Sequence, residues 1–364
     1  MRIGIDVGGT FTDLVAIDDR GTATLAKVPS TPDDPSRGVI DGLARLAETL
    51  ALPTVELLRA ATRVVHGTTV ATNALIEGKG ARTGMVVTAG HRDVIEMREG
   101  LKPVERYNMR MPPPAQLVPR ALRLSVVERL RHDGRVEVPL DQQSLDRAIA
   151  ALRAAEVEAV AVCFMHSWRD PRHERIAGDA VRRGLQGAYV ALSSDVLPKI
   201  KEFERFSTTV VNAYVGPRLA RYLERLGDRL KSAGYAGPVL IMQSHGGVLP
   251  IDEAIRLAAG AVLSGPAGGV AGSRHAGTLV GEGNLIPFDM GGTSTDISLI
   301  VDGASSLVMD RAVAGRRVAL DSLDIVSIGA GGGSIARVDA GGILHVGPQS
   351  AGADPGPACY GLGG

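Results

Sequence analysis

The sequence predicts an α/β protein made of two related domains that face each other across a cleft. The main observation is a repeat: the pattern Asp-x-Gly-Gly-Thr-x-Thr-Asp occurs at residues 6–13 and again at residues 289–296, with six of its eight positions identical. Two copies this far apart indicate one copy in each of two domains rather than a solenoid. The 364 residues are enough for about two domains, and the 46 glycines fit the many strand-to-helix turns of an α/β fold.

The first element is a β-hairpin in which an apolar strand ends at Asp6 and a second strand follows a glycine turn. Glycines let a ligand approach the backbone closely, and consecutive N–H groups with threonine hydroxyls can bind an anion. Asp6 at the strand end is suited to hold a hydrated Mg²⁺. An ordinary capped hairpin turn is the alternative for a single copy, and the repeat favours binding. The candidate phosphate-binding residues here are Gly8, Gly9, Thr10, Thr12 and Asp13.

A strand at residues 62–66 and a helix that runs to residue 76 are joined by a glycine and two threonines. The first N–H groups of a helix have no partner within it, so this junction is a natural site for an anion or a carbonyl oxygen. His66, Thr68, Thr69 and Asn73 are therefore candidates for a functional role. The alternative is a strand-end histidine with its hydrogen bonds satisfied, beside a helix-capping threonine.

Further strands and helices complete a predicted first domain at residues 1–195. Cys163 is expected to be an ordinary core residue of one of these strands. The proline-rich residues 98–119 are expected to form an exposed irregular segment, either a lid, a partner surface or a solvated loop. A long helix at residues 203–233 then connects to a second domain, residues 196–364.

The second domain carries the other glycine-rich stretches. A strand ends in a turn with His245, which is a catalytic candidate, with a polar turn residue as the alternative. The glycine-rich residues 264–269 are expected to precede a helix at 270–280. The second hairpin supplies Asp289 as the counterpart of Asp6. The candidate cofactor-binding residues are Gly291, Gly292, Thr293, Ser294 and Asp296 in the hairpin, and Gly329, Gly331, Gly332 and Gly333 in a later segment.

Composition narrows the classes of partner and location. Lys and Arg together number 40, as do Asp and Glu, so net charge does not favour a nucleic acid or an anionic membrane as partner. The two cysteines provide no disulfide framework. Met1 leads directly into a strand, and no apolar run is long enough to span a membrane. We therefore expect a soluble, cytoplasmic protein with no nucleic-acid or membrane partner.

Five stretches together resemble the hydantoinase A/oxoprolinase family, which includes 5-oxoprolinases, N-methylhydantoinases and subunits of acetone and acetophenone carboxylases. The resemblance runs over essentially the whole chain, and the five stretches include both hairpins. The other three are His66-Gly-Thr-Thr-Val-Ala-Thr-Asn-Ala-Leu75, Ser264-Gly-Pro-Ala-Gly-Gly269 and Gly352-Ala-Asp-Pro-Gly-Pro-Ala-Cys-Tyr-Gly361.

This resemblance implies two RNase H-like domains of the actin-like ATPase type, with Mg-ATP bound between the hairpins. Asp6 and Asp289 would then hold Mg²⁺ through water. The 68 residues after Asp296 are few for a complete second domain, so we expect it to be C-terminally incomplete.

The implied reaction is the ATP-dependent phosphorylation of the carbonyl oxygen of a cyclic amide, of the 5-oxoproline or hydantoin type, followed by ring opening. The resemblance also implies catalysis for His66 and substrate contact for Thr68, Thr69 and Asn73. A partner subunit of the hydantoinase B type, or a fused region, would assist hydrolysis. Three alternatives stay open: a ketone carboxylase subunit, a sugar-kinase-like phosphotransferase, and a non-catalytic ATP-binding module that drives a partner.

Overall fold

The computed structural model describes residues 1–9, 11–31, 33–98, 100, 110, 115–292, 294–309, 311–352 and 355–364. Most of the proline-rich segment 98–119 therefore lies outside the described residues, as do Thr10, Thr293 and Asp354. In the described part of the chain, no helix is long and apolar enough to cross a membrane. The cytoplasmic location stays a prediction.

The strands of the first 250 residues form two sheets and one small hairpin. Their bounds are β1 (Arg2–Val7), β2 (Phe11–Ile17), β3 (Ala23–Pro29), β4 (Arg63–Thr68), β5 (Thr83–Thr88), β6 (Arg123–Val126), β7 (Arg129–Leu130), β8 (Val136–Val138), β9 (Ala159–Cys163), β10 (Tyr189–Leu192), β11 (Val239–Met242) and β12 (Val248–Pro250).

The helices connect these strands and cover the sheets. Their bounds are α1 (Pro35–Thr49), α2 (Thr54–Ala60), α3 (Val70–Ile76), α4 (Val94–Met97), α5 (Gln142–Ala154), α6 (Arg172–Gly184), α7 (Ser193–Val196), α8 (Glu202–Ser232), α9 (Ile251–Arg256) and α10 (Ser264–Val280). The long connecting helix predicted at residues 203–233 is thus confirmed as α8.

The first sheet has the strand order β12-β11-β4-β1-β2-β3. β1, β2 and β3 form an antiparallel meander, whereas β4 is parallel to β1 and β11 is parallel to β4. α1 covers one face: Asp34 accepts a hydrogen bond from the Ser36 N–H, Pro35 starts the helix, and its apolar stripe of Val39, Leu43 and Leu46 is buried. The opposite face of this sheet is partly exposed to solvent, and Leu25 on it is 72% exposed.

The second sheet has the order β10-β9-β5-β6 and is parallel throughout. α5 and α6 cover one face, and the first half of α8 packs on the other through Phe206 and Val210. Farther along, Leu219 and Leu223 of α8 join the core of the first sheet. α8 therefore ties the two sheets together, and Cys163 is buried in the second sheet as predicted.

A second repeat of the β-meander follows α10. Its strands, with the hairpins inserted between them, are β13 (Phe288–Met290), β14 (Thr295–Ser298), β15 (Ile300–Val301), β16 (Ala304–Ser305), β17 (Leu307–Val308), β18 (Arg311–Val313), β19 (Arg316–Val318), β20 (Ser322–Leu323), β21 (Ile325–Ile328), β22 (Ser334–Val338) and β23 (Leu344–Ser350). The order β13-β14-β21 repeats the antiparallel order β1-β2-β3.

The two domain segments predicted from the sequence, 1–195 and 196–364, share the first sheet. β11 and β12 follow residue 195, yet they pair with β4 and with each other to extend the sheet that begins with β1. The location of the domain boundary stays a prediction.

Candidate active site

The two hairpins have the same hydrogen-bonding register. Asp6 lies opposite Asp13 in the first, and Asp289 lies opposite Asp296 in the second. The N–H of Gly8 donates to the Phe11 carbonyl over 3.0 Å, and the N–H of Gly291 donates to the Ser294 carbonyl over 2.9 Å. The sequence repeat is therefore also a structural repeat.

These turn hydrogen bonds decide which backbone groups remain for a ligand. The N–H groups of Gly8 and Gly291 close the turns. Among the described residues, those of Gly9 and Gly292 donate to no acceptor. Thr10 and Thr293, predicted to bind phosphate, lie outside the described residues. Among the described residues of the two turns, the backbone N–H groups left free for a ligand are therefore those of Gly9 and Gly292.

α10 places its glycine-rich first turns between the two hairpins. Residues 264–269 were predicted to open a helix at 270–280; the predicted starting residue was wrong, because α10 already begins at Ser264. Gly265 and Gly269 have no side chain, which leaves space for the two carboxylates. A Cβ at Gly265 would lie 3.6 Å from Asp6 Oδ1, and a Cβ at Gly269 would lie 3.9 Å from Asp289 Oδ2. Positions four apart lie on one helix face, so one face of α10 approaches both carboxylates.

A cavity of about 660 Å³ lies between this helix face and the open side of the first sheet. Its polar side chains include Asp6, Asp13, Lys27 and Asp289, and Gly67 joins them at the end of β4. Lys27 Nζ is 2.6 Å from Asp13 Oδ1 and lies over the Phe11 ring at 4.8 Å. Two predicted metal-binding carboxylates therefore share one cavity, with a lysine that the sequence analysis missed.

Asp6 is the electrostatically strained group of this cavity. Its carboxylate remains in contact with solvent, but close packing partly desolvates it and raises its pKa, and the negative charges of Asp13 and Asp289 add to that rise. Lys27 acts in the opposite direction. A bound cation would relieve this repulsion.

Asp6 and Asp289 could hold a magnesium ion only if other oxygen atoms, such as those of a nucleotide, complete its coordination. Among the described residues there is no group of three or more His, Cys, Asp or Glu side chains that could hold a metal by themselves. Mg²⁺ usually takes one or two carboxylates and fills its remaining positions with water and phosphate oxygens. Asp6 and Asp289 are therefore consistent with an ion that arrives together with a nucleotide.

The remaining candidates of the hairpins support the turns rather than face the cavity. The Thr12 hydroxyl is buried 3.1 Å from that of Ser30, which donates to the Gly8 carbonyl over 2.8 Å. In the second hairpin, the Thr295 hydroxyl donates to the Ala330 carbonyl over 2.6 Å, and Asp296 accepts from Ser327. The Ser294 carbonyl closes the turn. Their roles in cofactor binding stay predictions.

The glycine cluster packs directly on the second hairpin. The N–H groups of Gly332 and Gly333 donate to the carbonyls of Gly291 and Gly292, over 2.9 and 2.7 Å. The Gly331 N–H donates to Ser334 Oγ over 2.8 Å. Gly329 lies beside Pro348, at a distance that leaves little space for a side chain. The cluster therefore lies against the second turn, while its role in cofactor binding stays a prediction.

Two predicted substrate residues line a second cavity, of about 540 Å³, on the other side of the first turn. Thr69 donates from its hydroxyl to the Val7 carbonyl over 3.2 Å, and Asn73 Nδ2 donates to the Thr69 hydroxyl over 3.3 Å. Gly8 and Gly9 line this cavity as well. The first turn thus separates two cavities that both reach its glycines.

His66 and Thr68 lie behind this second cavity in the protein core. His66 is fully buried, and its Nε2 is 2.7 Å from the hydroxyl of Tyr222 in α8. Burial lowers the pKa of His66 to about 4, so the ring is neutral at physiological pH. The Thr68 carbonyl accepts a hydrogen bond from Ser264 over 3.0 Å. His66 is not among the cavity-lining side chains, although its partner Tyr222 is.

The structure does not bring His245 to either cavity. It is exposed in the turn between β11 and β12, and its imidazole lies beside Gly247. Its catalytic role stays a prediction. Sequence reasoning missed Lys27, which belongs to no local motif and reaches the site only because β2 pairs with β3.

Two family models match this chain. Residues 2–185 match the hydantoinase/oxoprolinase N-terminal region, and residues 205–364 match the hydantoinase/oxoprolinase family. This chain belongs to the hydantoinase/oxoprolinase family. The family that the sequence resembles is thus confirmed.

Similar members of the hydantoinase/oxoprolinase family give the fold. The caprolactamase subunit alpha of Pseudomonas jessenii is 42% identical over 364 residues, covering all of this chain and 52% of the relative. The crystal structure of the ATP-dependent caprolactamase from Pseudomonas jessenii superposes with a TM-score of 0.88 at 41% identity, covering 100% of this chain and 53% of that one. A nucleotide-free acetone carboxylase structure gives 0.83 at 30% identity, covering 97% and 51%.

Both structures are actin-like ATPase-type folds, which confirms the predicted fold class. The chain spans about half the length of the relatives that it matches.

Proposed function

We propose that this chain binds Mg-ATP between its two hairpins and uses it to activate a cyclic amide for ring opening. The observation that carries the proposal is the convergence of Asp6, Asp289 and the glycine face of α10 on one cavity. The similarity to a caprolactamase, whose name describes action on a cyclic amide, supports this substrate class. The phosphates would lie against the free N–H groups of Gly9 and Gly292.

Magnesium, when bound, would neutralise phosphate charge and orient the phosphoryl group for transfer. Asp6 and Asp289 hold this ion through water in our proposal. The N-terminal turns of α10 add a partial positive charge that favours the phosphates. Lys27 keeps Asp13 neutralised by their ion pair, so Asp13 does not add to the repulsion at full strength.

The chemical benefit of ATP follows from the nature of a lactam. An unstrained amide is a poor electrophile, and phosphorylation of its oxygen converts that oxygen into a good leaving group. Water can then add to the ring carbon, and the C–N bond of the tetrahedral adduct breaks as the nitrogen takes up a proton. A second water hydrolyses the resulting acyl phosphate to the carboxylate and inorganic phosphate. Thr69 and Asn73 line the second cavity, and in our proposal they orient the substrate there. His66 would act indirectly, by fixing Tyr222, which lines that cavity.

A ketone carboxylase subunit is the second candidate function. It is favoured by the TM-score of 0.83 with acetone carboxylase. The nucleotide cavity would be the same, and the phosphoryl acceptor would be an enolate or bicarbonate. A non-catalytic ATP-binding module would bind nucleotide without turnover stimulated by either substrate.

We also propose that further polypeptide covers the sheet of the second repeat, either from a hydantoinase B-type partner subunit or from a fused region. In the first repeat, Ile5, Leu14 and Ala26 form a face that α1 buries. The equivalent cross-strand row in the second repeat is Phe288, Ile297 and Val326. Phe288 and Val326 are each 60% exposed among the described residues. A helix could therefore pack on this row as α1 packs on the first sheet.

The test is calorimetric titration of Mg-ATP into the wild-type chain and into Asp289→Asn. We expect saturable binding that weakens at least about tenfold in the variant, which corresponds to about 1.4 kcal/mol. Asp302→Asn is the matched control, because Asp302 is exposed in a turn at a positive φ that asparagine tolerates. No binding by the folded wild-type chain, or equal binding by Asp289→Asn, would contradict a nucleotide site between the hairpins. Binding would then justify ATPase assays with cyclic amides and ketones.

A further inference from the structure

The second cavity has a strongly basic wall. Arg218, Arg221 and Arg225 of α8 line it opposite Gly8 and Gly9. Their spacings of three and four residues place all three on one face of the helix. Like charges at these spacings repel one another, so the array is unfavourable for α8 by itself.

No carboxylate neutralises this array within the described part of the chain. Arg218 donates to the backbone carbonyl of Lys79 over 2.6 Å, which leaves its charge uncompensated. Arg221 and Arg225 have no described carboxylate within 4.0 Å. Three positive charges therefore line the cavity with no counter-ion among the described residues.

The acidic residues of the same cavity are already paired with other cations. Asp33 accepts from Arg37 over 2.8 Å, and Asp34 accepts from Arg229 over 2.8 Å. Glu77 lies 2.9 Å from Lys79.

These pairs leave the net charge of the cavity wall positive, and the uncompensated groups are guanidinium groups, which bind carboxylates and phosphates in a bidentate manner.

We propose that the second cavity is a binding site for a small carboxylate, and that the cyclic amide activated by this chain carries a carboxylate group. The inference rests on the proposed function for the identity of the substrate, but the anion site stands on its own geometry. A ligand held by Arg221 and Arg225 can reach Thr69, Asn73 and the first turn within one cavity. Its amide oxygen would then point toward Gly8 and Gly9, the glycines of the turn that would also contact the nucleotide phosphates.

The test compares two probes that differ in one charge, 5-oxoproline and its neutral amide, 5-oxoprolinamide. Each is titrated by calorimetry into the wild-type chain without nucleotide. We expect 5-oxoproline to bind at least tenfold more tightly than the amide, and its affinity to fall as salt concentration rises, because charge drives the contact. Equal affinities, or no binding of either probe, would overturn the proposal.

The double variant Arg221→Gln/Arg225→Gln assigns the binding to these residues. We expect it to lose at least tenfold in affinity for 5-oxoproline and to bind the amide as the wild type does. Arg182→Gln/Arg183→Gln in α6 is the control, because it removes the same charge from an exposed helix away from the cavity. If both double variants bind 5-oxoproline equally well, the arginine cluster is not the carboxylate site.

A titration with inorganic phosphate distinguishes a carboxylate site from a phosphate site. If inorganic phosphate binds at these arginines more tightly than 5-oxoproline does, the cavity is a phosphate subsite and the carboxylate proposal fails. The Mg-ATP titration is independent of this result. Arginine-dependent binding of 5-oxoproline in a chain that does not bind Mg-ATP would keep the carboxylate site and refute the proposed function alone.

Discussion

Replacing Gly269 with alanine should stabilise this protein and weaken its binding of Mg-ATP. Gly269 lies inside α10, where alanine is better than glycine by about 0.5–1 kcal/mol because glycine loses more backbone entropy on folding. The added Cβ would meet Asp289 Oδ2 at 3.9 Å, an ordinary contact that costs no strain. The methyl group would, however, take space beside Asp289 that the water shell of a magnesium ion needs.

Gly272→Ala is the matched control for this experiment. Gly272 lies in the same helix and is exposed, and a Cβ there would meet no atom within 4 Å. Both variants should raise the melting temperature by roughly 1–4 °C, measured by circular dichroism. Only Gly269→Ala should weaken Mg-ATP, by about tenfold or 1.4 kcal/mol, measured by calorimetry. Equal affinities in the two variants would refute the assignment of this helix face to the nucleotide site, and a less stable Gly269→Ala would refute the packing argument.

Three further changes probe other parts of the site. Asp6→Asn should remove an electrostatic cost to folding that is complete above the raised folded pKa of Asp6 and is relieved as pH falls toward 3.8. Because solvent screens the group, we expect the free energy of unfolding in urea to rise by less than about 1 kcal/mol at pH 7.5 and to be unchanged at pH 3.5. The variant should also lose affinity for Mg-ATP. His66 has its folded pKa lowered from 6.5 to about 4, so its contribution to stability is present above pH 6.5 and is lost as pH falls toward 4. Wild type should therefore lose about 2–3 kcal/mol more than His66→Gln between pH 7.5 and 4.5, and parallel losses in urea titrations would contradict a buried neutral ring. Gly333→Ala should cost about 1–3 kcal/mol and weaken Mg-ATP, because its Cβ would stand 3.0 Å from the Gly292 carbonyl; unchanged unfolding and binding would show that the glycine cluster does not support the second turn.

Much of the fold was accessible from local patterns. The Asp-x-Gly-Gly-Thr repeat predicted two equivalent hairpins, and the register confirmed that equivalence, with Asp6 opposite Asp13 and Asp289 opposite Asp296. The long helix α8 was also predicted, since helical periodicity and strand-length apolar runs are local signals. The start of α10 was missed because glycines disfavour a helix locally, and the burial of Ala267 and Val270 in the core beside Ile300 overrides that preference.

The sequence by itself determined the chemical groups of the nucleotide site: two glycine turns, each preceded by an aspartate. Only the tertiary structure decided how the other candidates are divided. In the folded chain, His66 lies in the core and contacts Tyr222. Thr69 and Asn73 instead line a cavity together with arginines of α8, which lie about 150 residues later in the sequence. The physical reason is the alternation of side chains along a strand. Gly67 in β4 faces one side of the sheet and His66 the other, and the layers packed on each side determine what each residue can contact.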